Sequence, residues 1–157
     1  QHGCGISFLK SFMHDVLNEY SMSDILLART EVATEYVLDH ERRIDIVIQN
    51  PRYFIPIEVK IYAAEQEGQC YDYYQYAKNS RLVYLTRFGN VPSEYSRKEK
   101  SGTDILPIDR IQCISWAKDI CGWLNKLTAQ LAEPRMEFIK NAVKNFEEHL
   151  LKHLKNL

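Results

Sequence analysis

Two carboxylates and a lysine lie on consecutive strand-like segments between Arg42 and Lys60. In both segments branched apolar residues alternate with polar or charged ones, and the side chains of a strand point alternately to its two faces. Glu58 and Lys60 therefore share one face. If residues 50–53 form the turn between the segments, antiparallel pairing places Asp45 opposite Glu58, with their Cβ atoms about 4.5–5.5 Å apart.

Carboxylates at this separation repel each other unless a cation lies between them, and a divalent metal ion is the usual solution. A lysine beside them, Lys60, has the charge to stabilise an oxyanion or to orient a nucleophile. This arrangement is typical of a metal-dependent phosphodiesterase. It depends on the register, because a shift of one residue sends Asp45 and Glu58 to different faces. The alternative is an amphipathic hairpin whose polar face, including Arg43, meets water.

Composition favours one globular domain over residues 1–157, since the chain is 45% hydrophobic and 26% charged. The formal net charge of −1 excludes a global basic field, so a site for a polyanion must be local or completed by metal ions. The four cysteines form no CxxC pair and are predicted to be reduced thiols. No apolar segment approaches the roughly 18 residues of a membrane span, and no signal peptide is visible. These features predict a cytoplasmic protein without membrane association.

Hydrophobic periodicity predicts the order helix, three strands, helix, strand, strand, helix, helix. Short turns between the first three strands predict an antiparallel meander, and the crossover that follows predicts a parallel strand. Acidic residues are expected to favour the start of the second helix. The predicted helices cover residues 6–20, 65–79, a segment after 116 and an amphipathic C-terminal segment, 133–157; the strands cover residues 28–38, 42–48, 55–61, 81–87 and 111–116. Residues 88–104 are predicted to be a polar loop whose cations touch phosphates or meet solvent.

With this order of elements, the residues resemble the PD-(D/E)XK nuclease superfamily. Asp45 matches its metal-binding aspartate, and "EVK" at residues 58–60 matches the (D/E)XK element. Gln69 and Tyr73 match the QxxxY motif of the exonuclease and recombination-nuclease branch. The resemblance implies an α/β fold with a restriction-endonuclease-like core. Its mixed central sheet would contain the antiparallel meander, a crossover helix and the parallel strand, flanked by helices.

The likeness extends to an uncharacterised, mostly bacterial and phage-associated branch over roughly residues 1–124. The blocks that resemble this branch are HGCGISFLKSF, RRIDIVI, EVKIYAAEQEGQCYDYY, VYLTRFGNVPS and CISWAKDICGWL. Members commonly carry "ENK" where this chain has "EVK". They also have an upstream helix with a glutamate that helps to position the metal, so the chain is expected to be a fragment lacking that helix. Glu31 and Glu35, on the first strand, are the nearby acidic candidates to replace it.

The resemblance also implies roles for individual residues. Asp45, Glu58 and the backbone carbonyl of Val59 would hold Mg²⁺ or Mn²⁺. Lys60 would orient the attacking water or stabilise the developing negative charge. The two residues of the QxxxY motif share a helix face and would brace the site or hold a phosphate or the water. In the alternative interpretation the glutamine of this motif is exposed, and its tyrosine, Tyr73, is an ordinary packing aromatic.

Three further residues have open assignments. Gln66 lies one turn before the motif and either joins the site or meets solvent. Arg42 and Arg43 either guide a phosphate backbone or form a solvated strand edge. The histidines His2, His14 and His40 form no evident ligand pair.

The predicted function is Mg²⁺-dependent hydrolysis of phosphodiester bonds in DNA, in genome maintenance or in defence against foreign DNA. The QxxxY motif favours trimming from an end. The alternative is a non-catalytic nucleic-acid-binding or protein-interaction module that retains the nuclease fold. The chain is also compatible with the nuclease part of a larger protein whose final helix docks a neighbouring domain.

Overall fold

The computed structural model describes residues 5–38, 42–78, 81–131 and 136–155, with side chains described up to residue 152. The helices of this part are α1 (Gly5–Asp15), α2 (Asp24–Ala28), α3 (Gln69–Tyr76), α4 (Glu94–Arg97), α5 (Cys121–Gln130) and α6 (Glu137–Lys155). The strands are β1 (Glu31–Val37), β2 (Arg43–Gln49), β3 (Phe54–Lys60), β4 (Leu82–Thr86) and β5 (Ile111–Ser115). The chain divides into two compact units, Arg29–Ile114 and the described parts of Gln1–Ala28 and Ser115–Leu157.

The sheet is mixed, as predicted, with the strands in the order β1-β2-β3-β4-β5. Strands β1, β2 and β3 form the antiparallel meander. Strand β4 pairs with β3 in the parallel direction, after the crossover that contains α3. The predicted α/β class with a restriction-endonuclease-like core is thereby confirmed.

The turn between β2 and β3 sets the register of the hairpin. The Oδ1 atom of Asn50 accepts hydrogen bonds from the backbone N–H groups of Arg52 and Tyr53, both at 2.8 Å. Such side-chain bonds to the following backbone hold an asparagine turn in place. The ladder that results pairs Ile46 with Ile57. The predicted register is therefore confirmed.

The hydrophobic core of the Arg29–Ile114 unit lies between the sheet and α3. Buried residues of the strands β2, β4 and β5 pack there with buried residues of the helix. Buried members of this core cluster are Ile44, Val47, Cys70, Tyr73, Leu82, Tyr84, Leu106 and Ile111. Burial raises the pKa of the Cys70 thiol to about 12, which keeps this cysteine protonated and inert.

The helix predicted over residues 65–79 begins later than predicted. Gly68 has a φ of 64°, a left-handed conformation that glycine adopts readily and other residues rarely. This residue separates Glu65 from α3, so the predicted support of the helix start by Glu65 is wrong. The Glu65 carboxylate instead accepts hydrogen bonds from the Tyr84 hydroxyl and the Ser93 backbone N–H, both at 2.9 Å.

Residues 88–104 contain more structure than the predicted polar loop. The short helix α4 lies within them, and Lys98 forms an isolated antiparallel bridge with Ile105. Arg97 donates to the backbone carbonyls of Pro92 at 3.1 Å and Leu106 at 2.8 Å. Arg97 is one of the cations of the predicted polar loop, and its guanidinium holds this segment together through these two bonds.

In the second unit, α1 ends before Tyr20, the predicted end of the first helix. Asn18 adopts a left-handed φ of 54°, which an asparagine tolerates and which ends helices. The ring of Phe12 contacts that of Trp123 with centroids 5.2 Å apart. Helix α6 covers most of the predicted C-terminal segment and leaves Phe138 85% exposed.

Some predicted features lie outside the described residues: Cys4, His2, His40, the turn at 39–41, Pro134 and Leu157. Within the described ranges, none of the helices combines the length and the apolar character needed to cross a membrane.

Candidate active site

Asp45 lies where the ladder between β2 and β3 ends. The last paired residues are Ile46 and Ile57, so the same register places Asp45 opposite Glu58. Here a side chain replaces the ladder bond, because Asp45 Oδ2 accepts a hydrogen bond from the backbone N–H of Val59 at 2.8 Å. This bond fixes the Asp45 carboxylate beside Val59, near the C-terminal end of β3.

Glu58 and Lys60 form a buried ion pair on the same face of β3. Glu58 Oε1 and Lys60 Nζ are 2.5 Å apart, and the two side chains are 2% and 9% exposed. Their shared face was predicted from strand alternation, and it is confirmed. The alternative of a polar face that meets water is wrong for this pair. Buried charges require pairing because desolvation of an isolated ion is very unfavourable.

The environment of Glu58 raises the pKa of its carboxyl group. Burial raises the pKa of Glu58 to about 7, the Lys60 ammonium opposes this shift, and the charge of Asp45 adds to it. In the described part of the chain, the buried Oε2 atom of Glu58 has no hydrogen-bond partner. Native proteins rarely leave a buried polar atom unpartnered, and water, a bound ion or a catalytic role is the usual explanation for such an atom.

Gln69 and Tyr73 meet the site from α3, and both are buried. The Nε2 group of Gln69 donates to the Tyr73 hydroxyl at 3.0 Å, which donates in turn to the backbone carbonyl of Arg43 at 2.6 Å. Gln69 also lowers the pKa of Glu58, against the effect of burial. The Oε1 atom of Gln69 has no partner among the described residues. The alternative of an exposed Gln69 is therefore wrong, whereas Tyr73 both packs in the core and orients Gln69.

Arg42 does not form the solvated strand edge that was one of its two assignments. It is buried, and its Nε atom lies 2.7 Å from Asp72 Oδ2. Its Nη1 and Nη2 groups donate to Gln66 Oε1 at 3.2 Å and to the carbonyl of Glu67 at 2.5 Å. Arg42 thus connects the start of β2 to α3 and to the segment before it, and it holds Gln66 in place. The local sequence does not predict that Arg42 is buried and that its neighbour Arg43 is exposed.

Arg43 is an exposed residue paired with Glu35, whose Oε2 atom lies 2.6 Å from Arg43 Nε. Glu35 has a left-handed φ of 55° and occupies the β1 position beside Asp45 in the register. Glu31 accepts a hydrogen bond from Gln49 at 3.4 Å, further along the strand. Among the described residues, no group of three or more histidine, cysteine or acidic side chains is placed to hold a metal ion. Neither candidate glutamate therefore completes a three-carboxylate site.

A cavity of about 580 Å³ lies over these residues. Of the residues predicted for the site, Asp45, Glu58, Val59, Lys60 and Gln69 line it, and Tyr73 is not among its lining residues. Its remaining lining residues are Val37, Arg42, Arg43, Ala63 and Gln66. Gln66, for which the sequence predicts either a place in the site or exposure to solvent, lines the cavity and accepts a hydrogen bond from Arg42 Nη1.

The donor atoms of the cavity fit a hard divalent cation. Asp45 and Glu58 supply carboxylate oxygens, and one Glu58 oxygen is buried without a partner. Val59, whose backbone carbonyl is a further oxygen donor, also lines the cavity. Mg²⁺ and Mn²⁺ prefer such oxygen donors, and Mg²⁺ in particular is commonly held by one or two carboxylates, with water and substrate in the remaining positions.

Comparison with known protein families gives one finding. A family model described as the PD-(D/E)XK nuclease superfamily matches residues 1–149. Comparison with curated proteins gave no significant match, and neither did comparison with solved structures. The match spans nearly the whole chain and includes every residue of the site, which agrees with a nuclease-type function. The chain therefore belongs to the PD-(D/E)XK nuclease superfamily.

Proposed function

We propose that this chain is a Mg²⁺- or Mn²⁺-dependent nuclease that hydrolyses phosphodiester bonds in DNA. The observation that carries the proposal is the buried Glu58–Lys60 pair beside Asp45, in which Glu58 retains an unpartnered oxygen. A purely structural ion pair would be expected to satisfy its acceptors within the protein. DNA is the substrate proposed because the QxxxY motif is that of exonucleases and recombination nucleases.

Asp45, Glu58 and the carbonyl of Val59 would hold the cation. In an antiparallel ladder, the N–H and C=O groups of one residue point to the same neighbouring strand. Because the Val59 N–H bonds to Asp45, its carbonyl is expected on the same side, towards β2. A bound divalent cation lowers the pKa of its water ligand and neutralises charge on the scissile phosphate.

Lys60 would act on the phosphate or on the water. Its ammonium has three donors, and Glu58 accepts one of them at 2.5 Å. Since Lys60 lines the cavity, the remaining donors are available to the developing negative charge. Such donors act strongly in a water-poor site, because the local dielectric constant is low and the donors are already oriented.

Gln69 would position the attacking water. Its Nε2 group is engaged by the Tyr73 hydroxyl, which leaves Oε1 as a buried acceptor without a partner in the described residues. An amide fixed in this orientation can accept a hydrogen bond from water at the site. Tyr73 is then a positioning residue, because it orients the amide and does not line the cavity.

The test is cleavage of linear and circular DNA in Mg²⁺, Mn²⁺ or EDTA by the wild-type chain and by Lys60→Ala. Lys78→Ala is the matched control, because Lys78 is exposed and lies outside the cavity lining. We expect metal-dependent cleavage that the Lys60 variant loses and the Lys78 variant keeps. Cleavage of linear DNA alone would identify an exonuclease. If wild type and both variants are equally inactive with every metal, the proposal is wrong and a non-catalytic binding module takes its place.

A further inference from the structure

Exposed aromatic side chains lie on the two loops that follow the parallel strands β3 and β4. In the parallel register Lys60 pairs with Thr86, and Tyr62 and Phe88 each lie two residues beyond this pair. Their side chains are 66% and 65% exposed. Neighbouring strands are about 4.8 Å apart. The two loops therefore leave the sheet side by side, next to the lysine of the candidate site.

The loop after β4 carries a cation as well as an aromatic ring. The Cζ atom of Arg87 lies 4.7 Å from the centroid of the Phe88 ring. Its Nε atom is buried and has no hydrogen-bond partner in the described residues. The guanidinium therefore lies against the ring, and a positive charge beside an exposed aromatic ring is a combination that binds nucleic acid through stacking and charge.

The backbone of this loop is held in a defined shape. The Oγ1 atom of Thr86 accepts a hydrogen bond from the backbone N–H of Asn90 at 2.8 Å. Gly89 has a φ of 79°, which glycine adopts without strain. Phe88 is thus presented to solvent from a closed turn. A rigid aromatic side chain supplies contact area with little loss of conformational entropy on binding.

We propose that Tyr62 and Phe88 form a stacking platform for the unpaired bases of a DNA single strand that passes the candidate site. This inference rests on the proposed nuclease function and narrows its substrate to single-stranded DNA or to a frayed end. Aromatic side chains stack on the π-faces of unpaired bases regardless of base type, and a duplex hides those faces. Arg87 supplies a local cation for the backbone, which matters in a chain whose net charge is −1.

The test compares binding of a labelled single-stranded oligonucleotide with binding of a duplex of the same length. Fluorescence anisotropy is measured at fixed salt in EDTA, so that cleavage does not interfere. The variants are Phe88→Ala, Phe88→Leu, Phe88→Tyr and Tyr62→Ala. Phe138→Ala is the matched control, since Phe138 is an exposed aromatic on α6.

We expect Phe88→Ala and Tyr62→Ala each to weaken single-strand binding about 5- to 150-fold. Phe88→Leu should behave like Phe88→Ala, because leucine keeps apolar area but has no π-face, and Phe88→Tyr should bind like wild type. Duplex binding and the Phe138→Ala variant should remain within about twofold of wild type. Since the replaced side chains are exposed, thermal unfolding should be unchanged, which separates lost stacking from lost folding.

The platform is wrong if single-strand binding is insensitive to both alanine variants, if duplex binding falls in parallel, or if Phe88→Leu binds like wild type. Cleavage is scored separately, with Lys60→Ala as the inactive variant. Cleavage by wild type together with aromatic-independent binding refutes the platform alone. Aromatic-dependent binding without any cleavage refutes the proposed nuclease and leaves the platform as a single-strand binding surface.

Discussion

Two clusters of buried charge line the same cavity, and they differ in how well their polar atoms are satisfied. In the first, each nitrogen group of the Arg42 guanidinium has a partner: Asp72, Gln66 and the carbonyl of Glu67. In the second, Glu58 and Lys60 pair with each other, but Glu58 Oε2 has no partner within the described residues. Both clusters would be unfavourable to bury without pairing.

The difference indicates what each cluster contributes. A fully bonded guanidinium holds one geometry, and Arg42 uses it to connect the start of β2 with the residues around Gly68. An incompletely bonded carboxylate reduces stability unless a ligand completes it. The Arg42 cluster is therefore expected to determine folding stability, and the Glu58–Lys60 cluster is expected to determine chemistry. Four predictions test this division.

The largest effect is expected for catalysis in the second cluster. Replacing Lys60 with alanine should lower the cleavage rate by about 100- to 1,000-fold, the usual effect of removing one donor to a developing oxyanion. Initial rates in saturating Mg²⁺ measure this effect, and near-ultraviolet circular dichroism checks the fold. If the folded fraction of an Arg42 variant loses as much activity as Lys60→Ala, the proposed division of roles between the two clusters is wrong.

The Arg42 cluster should contribute more to the free energy of unfolding than the Glu58–Lys60 cluster does. Arg42→Ala should lower the free energy of unfolding by about 3 kcal/mol, because it removes a buried guanidinium that connects β2 to α3 and the segment before it through three bonds. We place the loss at the low end for a buried pair, since Asp72 is partly exposed and water can solvate it. Arg42→Lys should rescue little, as a lysine cannot reproduce three divergent donors. Urea unfolding measures the change, and a loss below about 1 kcal/mol would contradict the role given to Arg42.

The incompletely bonded carboxylate should also make the metal-free protein sensitive to pH. Burial raises the pKa of Glu58 from 4.5 to about 7, so the folded state binds more protons than the unfolded state between these values. The stabilisation is complete below pH 4.5 and is lost as the pH rises through 7, by at most roughly 3 kcal/mol. Glu58→Gln, which keeps an acceptor for Lys60, should remove this decline. Unfolding in EDTA from pH 5 to 8 measures it, and parallel profiles for wild type and variant would show that Glu58 is already ionised in the folded protein.

The smallest effect is expected for the exposed pair. Arg43→Ala removes the contact with Glu35 but should change the free energy of unfolding by less than about 1 kcal/mol, because water screens both groups. This variant is also the control for Arg42→Ala, since the two arginines are adjacent in sequence. A loss as large as that of Arg42→Ala would mean that burial does not explain the difference between them.

Much of the site could be predicted because its geometry is local. Strand alternation places Glu58 and Lys60 on one face, and the Asn50 turn sets the register that brings Asp45 to Glu58. The Gln69 and Tyr73 contact follows from helical spacing in the same way. In each of these cases the residues that meet are separated by one turn or one hairpin, so their periodicity is visible in the chain.

What could not be predicted depends on residues that are distant in sequence. Arg42 reaches Asp72 thirty positions away, and Glu65 reaches Ser93. Acidic residues before α3 are typical of a helix start, but the left-handed conformation of Gly68 separates Glu65 from the helix. Glu65 instead accepts a hydrogen bond from the Ser93 backbone. Local propensity is overridden where a tertiary hydrogen bond satisfies a group better than the helix would.

By itself the sequence determined the order of the five strands and of the helices α1, α3, α5 and α6, but not the short helices α2 and α4. It also determined the register of the β2–β3 hairpin and the identity of the charged groups on one face of it. These properties arise from periodicity and turn chemistry, which act over a few residues. Only the tertiary structure decided which charges are buried and which of their atoms remain unpartnered. Burial and hydrogen bonding depend on what packs against a residue. In this chain, α3 and the segment before it supply hydrogen-bond partners for Arg42, whereas the burial of Glu58 raises the pKa of its carboxyl group.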